Sequence, residues 1–234
     1  MMKRMRERGT LSLRRRLTFI GGLIVAIGLF AGGIAFAASQ TIVGQGDDTF
    51  SAATYTADQG EVVPLQVTGD SHNATARQNG PDGQALFRSP TISGGTTGVQ
   101  GTQYLSAGDY TFFCTVHPTT MQATLHVTSN GTLQARPSAT VSVRSKKLAK
   151  VSKKGVLVAL TTTAKVDGAS LVVKLGKTTI GKLDGLSLSA GQQVATVKLT
   201  KAGKNKLKNK SKASITVTAT IPFGSPASGK SKLT

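Results

Sequence analysis

The sequence predicts an all-β protein: two successive β-sandwiches behind an N-terminal export segment. Three observations predict it. Gly, Thr, Ser, Val and Ala are frequent, aromatics make up 5% of the chain and Trp is absent, a mixture that suits short strands and turns better than a helical bundle. Short Val/Thr/Leu-rich runs recur with Gly, Asp or Pro between them. The charge also changes sign twice. Residues 1–38 carry seven Lys/Arg against one Glu, residues 39–134 two Arg against seven acids, and residues 135–234 twenty Lys/Arg against two Asp. The net charge of +19 therefore describes the two ends and is no nucleic-acid signature of the centre.

The organisation follows from these shifts: residues 1–38 a targeting segment, 39–130 a first β-domain, 131–138 a linker, 139–222 a lysine-rich β-sandwich, and 223–234 a Gly/Ser/Lys-rich tail expected to be disordered. Residues 1–16 are basic and residues 17–38 uncharged, ending in Ala35-Phe36-Ala37, the small-x-small pattern of a signal-peptidase site. The uncharged stretch of 22 residues is also long enough to span a bilayer as an uncleaved anchor. Positive charge ahead of it keeps the N-terminus cytoplasmic in both cases. The rest of the chain is then extracytoplasmic, secreted or attached to the envelope.

In the first β-domain, residues 49–55 and 62–68 read as strands. Residues 79–101 read mostly as loop, with short strands around Leu86 and Ile92. Residues 110–116 and 121–128 are the clearest strand pair, joined by a turn at residues 117–120. Tyr110, Phe112 and Cys114 alternate onto one strand face, and the two aromatics mark that face as core. Cys114 is the one cysteine of the chain, so it has no intramolecular disulfide partner, and an exposed thiol outside the cell oxidises. His117 and Met121 follow on the turn, and His72 lies upstream in the segment Thr68-Gly69-Asp70-Ser71-His72-Asn73. A thiolate, two imidazoles and a thioether form a soft donor set of the kind that selects copper.

Cys114-x2-His117-x3-Met121 near the end of a small β-domain, with His72-Asn73 upstream, resembles the cupredoxin family, in particular its plastocyanin and amicyanin branch. The resemblance covers about ninety residues, 39–130. It implies a Greek-key β-sandwich holding one type 1 copper ion through His72, Cys114, His117 and Met121, with Asn73 bracing the Cys114 sulfur. Pro118 after the second histidine resembles the amicyanin loop. Val116 departs from the family, which often has Pro there, and Phe113 stands where many relatives have Tyr. The implied activity is one-electron transfer with an unidentified redox partner protein, by a carrier that is not an enzyme. Copper sequestration or delivery is the alternative.

Zinc is the nearest rival metal, but a structural zinc site calls for more thiolates or imidazoles and has no use for Met121. A Cys–His nucleophile pair lacks an evident orienting group. His126 shares a polar strand face with Thr124 and Thr128 and reads as solvent-exposed.

In the basic half, residues 139–143, 155–164, 169–175, 193–199 and 213–221 read as strands, and residues 200–210 as one helical turn or a loop. The set resembles bacterial immunoglobulin-like surface modules. It has neither Cys nor His, hence no second site of the same chemistry. Its lysines serve either as a solubilising face or as a patch for anionic cell-wall polymers or lipid headgroups, which would make the chain an envelope interaction protein. Nucleic acid is not an expected partner, because Phe223 alone offers an aromatic face for base stacking.

Overall fold

The computed structural model describes residues 39–234. The targeting segment, 1–38, lies outside the described residues. Those described form one compact unit built almost wholly of strands. The first half contains β1 (Ile42–Gly44), β2 (Thr54–Gln59), β3 (Val63–His72), β4 (Thr75–Ala76), β5 (Ile92–Val99), β6 (Gly108–Phe113) and β7 (Gln122–Gly131). They form two sheets, ordered β1-β3-β5 and β2-β7-β6-β4. The β1–β3 and β2–β7 pairs are parallel and the remaining pairs antiparallel.

Both sheets contribute to one core. Ile42, Val63, Leu65, Val67 and Val99 come from the first sheet and Tyr55, Ala57, Phe112, Leu125 and Val127 from the second, all buried in a single cluster with Phe50 and Phe87. The alternation in β7, with Ala123, Leu125 and Val127 buried and Gln122 and His126 exposed, is the period-two pattern of a strand with one face on the core. Phe112 is at the centre, its ring centroid 5.0 Å from that of Phe50 and 6.0 Å from that of Phe87.

Three expectations for this half need correction. The strand placed at 49–55 starts only at Thr54, because Phe50 leaves the sheet after one bridge to Gly44. The strand placed at 62–68 continues to His72, across a register shift between Val67 and Ser71. Gly69 lies in that shift at φ 88°, where glycine carries no Cβ penalty. Within 79–101, read as mostly loop, the short strand expected around Ile92 runs on to Val99 as eight residues paired with β3, and none forms at Leu86. The Gly and Thr content of residues 92–99 hid the full length of a strand whose stability comes from its neighbour.

The basic half contains β8 (Ala139–Val143), α1 (Leu148–Lys154), β9 (Val156–Thr162), β10 (Val166–Leu175), β11 (Thr178–Leu188), β12 (Gly191–Val197), α2 (Lys201–Lys208), β13 (Ala213–Thr220) and β14 (Ala227–Leu233). Its sheets are ordered β11-β10-β13-β14 and β12-β9-β8. They enclose a separate core that includes Val158, Leu160, Leu171, Val173, Ile215 and Val217. Here the residues at 227–233 are not disordered: β14 pairs with β13 over seven residues, from Ala213–Leu233 to Ala219–Ala227. Its polar sequence sits on a sheet edge, and Leu233 is buried. Strand β11 was not expected, since Gly, Lys and Asp interrupt its apolar pattern, but it pairs with β10 along its length. Residues 200–210 yield helix α2, capped by Thr200, whose hydroxyl accepts from the Gly203 N–H at 2.9 Å. Such a cap satisfies an otherwise orphaned helix donor.

The segment 131–138 is tied down on both sides. The Arg136 guanidinium donates to the carbonyls of Tyr104 and Phe223, each at 3.1 Å. Phe223 holds the two halves together. Its N–H donates to Asp82 Oδ2 at 2.9 Å, its ring lies 4.2 Å from the Arg88 guanidinium, and Arg88 pairs with Asp82 at 3.1 Å. Phe223 takes φ 62°, an unfavourable conformation for a bulky residue that these contacts hold in place.

Burial alone would raise the Asp82 pKa, but N–H bonds from Phe223 and Gln84 and the Arg88 charge together lower it below the usual carboxylate value of 3.8. A depressed carboxylate stabilises the fold fully above its unfolded-state value and loses that contribution as pH falls through its folded-state value. Asp82→Ala is expected to cost about 1–3 kcal/mol at pH 7, because it leaves buried donors unpaired. The cost should shrink below about pH 4. Thermal unfolding of the two proteins at neutral and acid pH checks both statements.

Candidate metal centre

The site lies at one end of the first sandwich. Strand β3 delivers His72, the β6–β7 connection delivers Cys114, His117 and Met121, and the turn after β1 closes over them. Cys114 falls one residue beyond β6, yet it stays in the hairpin. Its N–H donates to the Met121 carbonyl at 3.1 Å, and the Met121 N–H donates to the His117 carbonyl at 3.0 Å. These two bonds pin the short loop at its base, so its three side chains have little conformational freedom.

His72, Cys114 and Met121 are fully buried, and the His117 side chain is 24% exposed. One donor atom from each of His72, Cys114 and His117 falls within 4.8 Å of the other two. The Cys114 Sγ lies 3.9 Å from His72 Nδ1. That is a long contact for a direct hydrogen bond, but an ion bonded to both at about 2.0–2.3 Å fits the span. The two imidazole rings meet edge to face, with centroids 5.1 Å apart.

The two rings differ in their outer contacts. His72 Nε2 is 2.8 Å from the Gln45 carbonyl. A carbonyl only accepts, so Nε2 carries the hydrogen and, in the neutral ring, Nδ1 faces Cys114 with a free lone pair. On His117, Nε2 is the outer nitrogen, 3.2 Å from Asp48 Oδ1. The contact is within ion-pair range but too poorly aligned for a hydrogen bond. His117 Nδ1 is buried with no hydrogen-bond partner. Leaving such a group unsatisfied costs about 1–3 kcal/mol, and a cation among the three donors would satisfy it. Two imidazole lone pairs and a thiol sulfur converging in an apolar setting fit a soft or borderline transition metal.

Met121 is fully buried in the same core cluster as Cys114. Asn73 acts differently from the expectation that it braces the cysteine sulfur. Its Oδ1 accepts from the Thr115 N–H at 2.9 Å, and its Nδ2 donates to the hydroxyls of Thr115 at 2.6 Å and Thr91 at 2.7 Å. It therefore ties the residue after His72 to the residue after Cys114, fixing the spacing between two donors through the backbone. His126 is exposed, as expected, and pairs with Asp109 at 2.6 Å. It takes no part in the site.

Three contributors were missed in the sequence. Gln45 orients His72 through its carbonyl. Gly44 leaves room for the His72 ring, since a Cβ there would crowd it at 3.1–3.3 Å from three of its atoms. Asp48 adopts φ 60°, a left-handed conformation that Asp tolerates better than most residues, and this turns its carboxylate toward His117. The Gly44–Asp48 segment reads in sequence only as a polar turn. Its meeting with His72 and His117 depends on the parallel β1–β3 pairing.

The chain matches no family model and no curated protein. Among solved structures it is similar to the reduced form of an amicyanin variant, with 21% identity and a TM-score of 0.31 over 37% of this chain and 81% of that one. It is also similar to auracyanin A, described as a "blue" copper protein from the green thermophilic photosynthetic bacterium Chloroflexus aurantiacus. There the identity is 19% and the TM-score 0.31, over 38% of this chain and 96% of that one. An oxidised amicyanin variant aligns over 43% of this chain and 87% of its own, with 21% identity and a TM-score of 0.30.

Proposed function

We propose that this chain is an extracytoplasmic blue copper protein whose first sandwich holds one type 1 copper ion through His72, Cys114, His117 and Met121 and carries single electrons. The observation that carries the reading is the converging donor set: an imidazole Nδ1 freed by Gln45, a buried thiol, and a second imidazole Nδ1 with no other partner. Copper bound there supplies a reversible Cu(II)/Cu(I) couple. The chain's own part is to hold the donors in one arrangement. The Cys114–Met121 and Met121–His117 backbone bonds, the Asn73–Thr115 bridge and the Gln45 clamp all resist movement of the donors. Fixed donors favour electron transfer because little rearrangement accompanies a change of charge. With four protein donors closing the site, the protein is a carrier and not an enzyme.

Of the four residues only His117 is exposed to solvent, and its ring marks where an unidentified redox partner would approach. Asp48 lies beside that ring, so the partner surface would carry positive charge to match it. Copper storage or delivery uses the same donors and is the second reading. The second sandwich, immunoglobulin-like in this proposal, would act as a basic envelope-facing module. Among the described residues no helix is long and apolar enough to cross a membrane, so attachment would rest on residues 1–38 or on charge.

The test is the visible spectrum of a fragment, residues 38–234, mixed with Cu(II). One equivalent is expected to produce an intense blue thiolate-to-copper band that saturates at one ion per chain and bleaches reversibly on reduction. A colourless mixture would overturn the reading. A band that forms but cannot be cycled would favour storage over electron transfer.

A further inference from the structure

The lysines of the second sandwich are not spread evenly. Its two acids are matched locally, Asp167 with Lys165 at 3.2 Å and Asp184 with Lys182 at 3.1 Å. Of the twenty Lys and Arg in residues 135–234, no other forms an ion pair among the described residues. Eight of them gather along α1. One hollow of about 430 Å³ is lined by Arg144, Lys146, Lys147, Lys150 and Lys154, with Leu157 and Gly155 in its wall. A second, of about 260 Å³, is lined by Lys153, Lys154, Lys198 and Lys204. The two share Lys154 and Gly155 and so lie side by side, a cationic groove of two hollows with no Asp or Glu in its lining.

Its construction is specific. Leu148 and Val151 are buried and fasten one stripe of α1 to the core. Lys147, Lys150 and Lys154, three and four residues apart, share an exposed face that adjoins this stripe. Cations near a helix C-terminus are favoured by the helix dipole, which accounts for Lys153 and Lys154. The dipole disfavours Lys146 and Lys147 at the other end, where no acidic residue occupies the first turn. Like charges at this spacing also repel. A solubilising surface gains nothing from crowding cations where they repel one another and oppose a helix, but an anionic ligand offsets both costs.

We propose that this groove binds a linear polyanion with phosphate groups repeated along its backbone, as in an envelope polymer. The two linked hollows extend beyond the reach of a single phosphate. They are concave, so a chain can lie along them, whereas a flat bilayer surface would meet only the rim. No aromatic residue lines either hollow, so the ligand is held by its charged backbone and not by stacked bases. The proposal is independent of the copper site.

The two cores are self-contained within the described residues, so the fragment 38–234 serves for the test, with long-chain inorganic polyphosphate as the probe. Titration calorimetry at low salt is expected to show binding that weakens about tenfold or more as salt rises from roughly 50 to 200 mM. The quadruple variant K146Q/K147Q/K150Q/K154Q should lose at least about tenfold in affinity, while K174Q/K177Q/K210Q/K212Q, with the same change in charge away from the groove, should lose less than about threefold. Equal losses in the two variants would overturn the proposal in favour of net charge alone. Absence of polyphosphate binding at low salt would overturn it outright, as would groove-dependent binding to phosphatidylglycerol vesicles but not to polyphosphate, which would assign the face to a lipid surface. The groove variant's melting temperature, expected to be no lower than that of the parent, and its copper spectrum, expected to be unchanged, separate lost binding from lost folding.

Discussion

Cys114→Ser is expected to abolish the blue band entirely and to weaken copper binding by at least about tenfold, while the sandwich still folds. The serine hydroxyl is nearly isosteric with the thiol but is a hard, neutral donor near pH 7. It therefore cannot supply the charge transfer from a thiolate that gives the colour, nor the soft bond that favours copper. The affinity loss follows because His72 and His117 would remain as the strong donors, with Met121 a weak one. The protein should lose only about 1–2 kcal/mol of stability without metal, the cost of burying a hydroxyl with uncertain hydrogen bonding. Absorption spectra and a chelator competition measure the first two effects, and urea unfolding of the apoprotein measures the third. A blue band surviving in the serine variant would remove Cys114 from the site.

Phe112→Ala is expected to cost about 3–5 kcal/mol, the usual price of emptying a large aromatic site in a core that cannot collapse. Phe112 is fully buried, with Phe50, Tyr55 and Phe87 around it at centroid distances of 5.0–6.1 Å. These neighbours come from separate chain segments, so no single movement closes the gap. Phe112 also lies two residues before Cys114 on the same strand face, and loosening it should broaden the copper spectrum at temperatures well below unfolding. Denaturant titration gives the free energy. A loss under about 1.5 kcal/mol would mean that the ring is not central to this core.

The grouping of Cys114 and His117 with the distant His72 was legible because these residue types are chemically rare in the chain. The chain's one cysteine, followed by His117 and Met121 on a turn between two clear strands, constrains the local geometry whatever the surroundings. Strands β6 and β7 were equally plain, since their alternating pattern is written in consecutive side chains. The length of β5 beyond Ile92, and β11 and β14 altogether, were not, because Gly, Lys, Ser and Asp carry little strand signal. β5 is held by β3, on the far side of β4, while β11 and β14 are held in hairpins by the strands just before them, β10 and β13. Asn73 was expected to reach the Cys114 sulfur, whereas its side chain bonds Thr115, a choice set by how β4 aligns with β6.

His72, Cys114 and His117 as candidate donors, the all-β character and the separation of an acidic centre from a basic end could all be read in advance, because each is a property of neighbouring residues or of composition. Folding was needed to bring the Gln45 carbonyl to His72, Asp48 to His117, Asp82 to Phe223, and eight lysines and arginines to the two hollows beside α1. Each of those depends on residues brought together by strand pairing and core burial across long stretches of chain. Distance along the chain says little about which polar side chains will face one another once the sheets close.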